Sequence, residues 1–236
     1  MATFEAQVSG VTGQIDTFSS DTNPKDTELD QFLKDGVLDV THRVLALRPQ
    51  DAALFQRTTS SDSQGVDIGR SKIISVMREA NADGSSDGST VWRSCKRVSH
   101  DLQSRVVDTD SLYFASIYNP VYILDNNGVV NVYPVPSSNN GIKISYVNKT
   151  PVNGAGSSLL HSHDDILYFP EDKVYLVVLY AAIASLEAKL GEYTIDEEDV
   201  ELVQAIQVII TSLKQKYDTA FSLMAPKQPQ PQGQEA

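Results

Sequence analysis

The chain has 236 residues, 41% of them hydrophobic, and 31 acidic against 19 basic side chains, for a net charge of −12. This acidic excess excludes a general nucleic-acid binder built on a broad basic face, but it suits a surface past which DNA slides, because like charge repels phosphate. The single cysteine, Cys95, excludes an intrachain disulfide and a thiolate metal cluster built from one chain. The length suffices for one large domain or two small ones with a sizeable core.

Residues 1–24 (MATFEAQVSGVTGQIDTFSSDTNP) are rich in Ser, Thr and Gly and carry few helix signals. They read as an extended arm with a short strand around Phe4–Val8. Termini order only when tied down, and Phe4, Val8 and Val11 offer an apolar hold for a neighbouring subunit. The same residues lack the basic start and apolar core of a signal peptide. No apolar run reaches the 18 or so residues of a membrane span: the longest, Val174 to Ala184, is followed by Glu187 and Lys189. The expectation is a soluble protein made in the cytoplasm.

A first helix is predicted from Asp26 or Thr27, either of which can cap it, with Leu29, Phe32, Leu33, Val37, Val40, Val44 and Leu45 on one face. Gly36 interrupts it at a cost of about 1 kcal/mol, which points to close packing there. Arg48-Pro49 ends it, and a short helix follows to Gln56. From Arg57 the texture becomes β-type. Lys72–Arg78 reads as a strand. Residues 80–89 (ANADGSSDGS) form a loose loop. Val91–Val98 reads as one strand with Val91, Arg93, Cys95 and Arg97 on a face, and DLQSRV adds a helical turn. Runs flanking Asn126-Asn127-Gly128 carry a hairpin signal. With a second turn at SSNNG they predict an antiparallel meander of Val121–Leu124, Val129–Val135 and Ile142–Val147. Pro134 and Pro136 put the middle strand's end near an edge.

After a Gly/Ser loop, Pro170 opens a helical hairpin at its first helical position. Its first helix is apolar almost all round and ends at Gly191. Its second, about 28 residues or roughly 42 Å long, is capped by Thr194 or Asp196, with Glu197, Glu198 and Asp199 at its positive end. The Pro/Gln-rich tail from 225 reads as disordered. The predicted fold is α+β: a helical bundle of the N-terminal helix and the long C-terminal hairpin, with an inserted antiparallel β-rich region. Its expected parts are an arm (1–24), a helical body (25–56 and 165–224), the insertion (57–164) and a tail (225–236). One partner helix does not cover every side of VYLVVLYAAIASL. The surplus apolar surface, including Tyr175 and Leu179, points to a subunit that contacts copies of itself.

Chemistry is sparse. Phosphate-binding glycine motifs, a GxSxG elbow and HExxH are all absent, so no catalytic residue and no cofactor is expected. His161-Ser162-His163-Asp164-Asp165 carries ligand types for zinc or another divalent metal, His161, His163 and Asp164 being the candidates. The alternative is a solvated polar loop leading into a helix. Cys95 near His100 reads as a small residue in a sheet face rather than a nucleophile. Asp108 and Asp110 fit Asx-turn chemistry as well as a carboxylate pair. DGSSDGS lacks the spacing of a calcium loop. Arg93, Lys96, Arg97 and Arg105, with Trp92 among them, could contact nucleic acid. In so acidic a chain they fit better against acidic residues across a subunit or partner interface.

The segments MATFEAQVSGVTG, ELDQFLKDGV, WRSCKRVSHDLQSRVVDTDSLYFASIYNPVYIL and YFPEDKVYLVVLYAAIASLEAKLGEY together resemble virion structural proteins of tailed bacteriophages. The likeness is greatest to the head–tail connector, adaptor or neck proteins. The resemblance implies a helical protein with a β insertion, docked on the portal protein as a ring, commonly of twelve copies. It implies contacts with copies of itself, the portal and tail or neck proteins, and no membrane. Genomic DNA would pass through without specific binding. It also implies a place at the head–tail junction of the virion after synthesis in the host cytoplasm. The family has no catalytic motif to carry over. The alternatives are another virion role (tail completion, tail tube or head decoration) and a metal-dependent enzyme using His161, His163, Asp164 and Asp165.

Overall fold

A computed structural model describes residues 2–13, 15, 17–80, 91–196 and 200–225. The chain forms two compact units, Met1–Leu54 with Thr150–Ala236, and Phe55–Lys149. The class is α+β, as the sequence predicts. Residues 150–164, expected in the β-rich insertion, belong to the helical unit instead. The tail from 226, residues 81–90 and the acidic triplet 197–199 lie outside the described residues.

The helical unit is built from α1 (Phe4–Thr12), α2 (Asp26–Leu47), and a long pair separated from them in sequence: α4 (Val174–Asp196) and α5 (Val200–Met224). The N-terminal arm is therefore not extended. Thr3 Oγ1 accepts from Ala6 N, and Gly13 closes the helix in the left-handed region at φ 59°, a pairing of polar N-cap and glycine stop. Phe4 and Val8, one turn apart, are fully buried. The helix start donates Phe4 N and Glu5 N to the carbonyls of His163 and His161, which satisfies backbone groups that a helix start leaves unpaired.

In α2 the buried positions Leu29, Leu33, Val37, Val40 and Val44 follow the helical period. Its N-cap is Lys25, one residue before the expected start; the Lys25 amide donates to Glu28 Oε2 at 2.9 Å. Gly36 is buried, and a Cβ there would lie 3.1–3.3 Å from Tyr180 and Val177 of α4, the close approach the sequence anticipates.

α4 is the centre of the unit, packed by α1, α2 and α5. Residues Glu171–Thr194 are long and apolar enough to cross a membrane by length and composition alone. Within the unit Leu176, Val177, Ala181, Ala182 and Leu186 are buried, while Tyr175 stays half-exposed, so three helices take up much of the apolar surface that one helix could not. Gly191 does not end α4, which runs on to Asp196. Thr194 is no cap for the next helix, since its hydroxyl donates back to Leu190 O inside α4. Pro170 precedes a short 3-10 turn, Glu171–Lys173, rather than opening the α-helix itself. α5 is amphipathic, burying Ile206, Ile210, Leu213, Tyr217 and Phe221.

The second unit holds eight strands among the described residues, β1 (Gln56–Ser61), β2 (Val66–Asp67), β3 (Ile73–Glu79), β4 (Trp92–Ser94), β5 (Lys96–Arg97), β6 (Val121–Leu124), β7 (Val129–Tyr133) and β8 (Ile142–Val147), with α3 (Gln103–Val107). Two four-stranded sheets run β1-β8-β3-β4 and β2-β7-β6-β5. Ile68, Val76, Cys95, Val130, Val132, Ile142, Ile144 and Tyr146 form one core cluster with members from both sheets. A second cluster, Val106, Ala115, Val121, Ile123 and Tyr133, joins α3 and the loop after it to β6 and β7.

Two strand expectations are corrected. Val91–Val98 is not one strand. Cys95 N donates to Val76 O in the first sheet and Lys96 N to Pro120 O beside the second, so the chain changes sheets at Cys95, a corner where strands of packed sheets exchange. Nor is there a three-stranded meander. β6 and β7 pair across the Asn126-Asn127-Gly128 turn, but β8 leaves to lie between β1 and β3. Pro134 and Pro136 lack the N–H that a ladder needs, β7 stops at Tyr133, and the following residues carry the chain across. The buried Arg78 guanidinium of β3 donates to the carbonyls of Pro134, Val135 and Glu79, fixing that crossing.

Candidate functional site

The His161–Asp165 segment is a brace rather than a ligand cluster. The His161 amide and ring Nδ1 both meet Asp30 Oδ1, the ring at 2.9 Å. The His163 ring accepts from Leu160 N at Nδ1, and its Nε2 lies 3.1 Å from Asn153 Nδ2. The two imidazoles are thus committed to different partners, while their carbonyls hold the start of α1. Among the described residues no group of three or more His, Cys, Asp or Glu side chains could hold a metal ion.

Cys95 is buried, and burial pushes its thiol up to about 12, with the nearby Arg78 charge pulling the other way. A thiol so protonated is no nucleophile at neutral pH, and His100 is turned to Asp125 Oδ1, 3.4 Å away. Asp108 accepts from Asp110 N at 3.0 Å, which is the Asx-turn geometry.

The expected interface residues divide. Phe4 and Val8 are spent within their own unit. Tyr175 is half-exposed and lines a cleft of about 580 Å³ with Arg48, Lys216, Leu223 and Met224. Leu179 is half-buried on α4. Across α2 and α5, Tyr217 donates to Asp39 Oδ2 at 2.6 Å, and Arg43 bridges Asp39 and Asp218 while stacking on the rings of Tyr217 and Phe221. Burial first, then the Asp39 hydrogen bond, raises the Tyr217 phenol well above its ordinary value.

In the β-rich unit Trp92 stacks under Lys143 Nζ at 4.0 Å, and Arg93 lies over the Tyr118 ring at 5.2 Å. Arg97, with Lys96, is exposed on the edge strand β5. Sequence reasoning passed over the companion feature. Val107, Leu112, Tyr113, Phe114 and Tyr118 are all exposed large apolar side chains on one short segment. For four of them the signal was present in LYFASIY, residues 112–118, but residue type alone does not say which apolar side chains stay exposed.

Catalytic geometry does not emerge from these residues; surfaces do. No curated protein matches the chain. A family model described as SU10 adaptor protein matches residues 7–233, which takes in nearly all of both units. The chain accordingly belongs to the SU10 adaptor protein family, structural adaptors of tailed bacteriophages.

Proposed function

We propose that this chain is a ring-forming head–tail adaptor. Copies of it, twelve in the commonest arrangement of such proteins, dock on the phage portal, join the capsid to tail or neck proteins, and let the genome pass without specific binding. The family match over both units carries this reading. Charge supports it: a net −12 gives DNA a repelling surface to slide past. No reaction is assigned to the chain. Heterologous contacts, in which one patch meets a different patch on the next copy, close into rings when the rotation allows.

Electron cryomicroscopy of intact particles tests the reading. A closed ring of this chain between portal and tail is the expected result. Particles that lack the chain, or hold it on the head surface or along the tail tube, overturn it.

A further inference from the structure

Charge is divided unevenly between the two units. Residues 55–149 carry ten Lys and Arg against nine Asp and Glu, a net of +1, whereas the helical unit carries nine against 22, a net of −13. On the near-neutral unit, a groove of about 380 Å³ is lined by Lys96, Arg97, Leu102, Leu112 and Tyr113 among others. In the same segment of chain Val107, Phe114 and Tyr118 are exposed by 56, 39 and 63%, and Leu112 is fully exposed at 103%. Among the described residues no salt bridge engages Lys96, Arg97 or Arg105, and the buried Arg93 Nε has no hydrogen-bond partner.

Basic residues on an edge strand are a common guard against strand pairing, but a guard does not need five exposed apolar side chains beside it. Clustered aromatic and arginine side chains are what binding hot spots are made of, and an apolar patch rimmed by charge marks an interaction surface.

We propose that this basic, aromatic face of residues 93–118 docks on the acidic helical unit of a second copy of this chain. The inference rests on the ring reading and names its contact. The complement is supplied by the same sequence, Lys96, Arg97 and Arg105 outside any salt bridge among the described residues on one side and a unit of net −13 on the other, and the two patches differ, which makes the contact heterologous. A nucleic acid fits the face less well. Val107 and Leu112 are exposed aliphatic side chains, which bury well against a protein surface but offer a nucleic acid neither a stacking face nor a charge.

The test uses the full chain with a benzoylphenylalanine photocross-linker at Leu112, whose exposure leaves no packing to disturb. Isotopically light and heavy copies are mixed and irradiated, and cross-linked peptides are read by mass spectrometry. The expected result is light–heavy cross-links landing in residues 1–54 or 150–225. Their yield falls as salt is raised, and about tenfold in a Lys96→Glu, Arg97→Glu variant, with an unchanged circular dichroism spectrum. No inter-copy cross-link, cross-links joining two β-rich units, or a yield indifferent to the charge reversals each overturn the proposal. So does binding of a labelled oligonucleotide that the same variant abolishes without any inter-copy cross-link. Particle microscopy reports the position of the chain independently, so the ring reading and this contact fail separately.

Discussion

Gly128 shows how much one residue can carry. Its φ is +83°, and a Cβ there would lie 2.3 Å from the Arg70 backbone nitrogen. Gly128→Ala is expected to destabilise the β-rich unit by about 2–4 kcal/mol, read as a lower denaturant midpoint. Cys95 makes a pH prediction. Its folded thiol value, about 12, lies above the ordinary 9.0, so the folded state holds the proton more tightly. The stability this contributes is fully present below about pH 9 and is lost as pH rises toward 12. Alkaline titration should therefore loosen the β-rich unit, and a thiol reagent at pH 8 should label Cys95 slowly until denaturant is added. Rapid labelling of the native chain would contradict the buried, protonated thiol.

At the scale of elements, the loop around His161 and helix α1 depend on each other. Asp30 accepts from both the amide and ring of His161, and the carbonyls of His161 and His163 receive the first amides of α1. Removing that acceptor with Asp30→Ala is expected to cost about 1–3 kcal/mol and to speed hydrogen exchange across residues 4–12 while α5 stays protected. The α2–α4 contact is set by Gly36. A leucine there would meet Tyr180 and Val177 and should destabilise the helical unit by about 1–3 kcal/mol through overpacking. Thermal melts followed at 222 nm would show it, and an unchanged melting temperature would mean that the helices part freely at that point.

For the whole molecule, the insertion closes on itself. Asn148 N donates to Phe55 O at 2.9 Å, so the two ends of the β-rich unit meet. A segment whose ends adjoin and which has its own core is expected to fold alone. Residues 55–149 expressed by themselves should give a cooperative unfolding transition and a β-type circular dichroism spectrum; a disordered spectrum would show that the helical unit is required. The helical unit, at −13, repels itself, and its stability should rise as salt screens that charge.

The amino-acid sequence by itself determined the class, the helices α2, α4 and α5, the Asn126-Asn127-Gly128 turn and the family resemblance. These rest on local chemistry: apolar period, capping residues and glycine conformation act within a few residues. Position-by-position reading failed where a partner distant in sequence decides. Phe4 and Val8 look like an unpartnered arm until α4 lies against them. His161 and His163 look like ligands until Asp30 and Asn153 take their ring nitrogens. Val91–Val98 looks like one strand because alternation cannot say which sheet receives each half. Only the tertiary structure decided those pairings. In the same way it added to the half-exposed Tyr175 of α4 an exposed aromatic loop beside Lys96 and Arg97, because burial is a property of what packs against a residue and not of the residue itself.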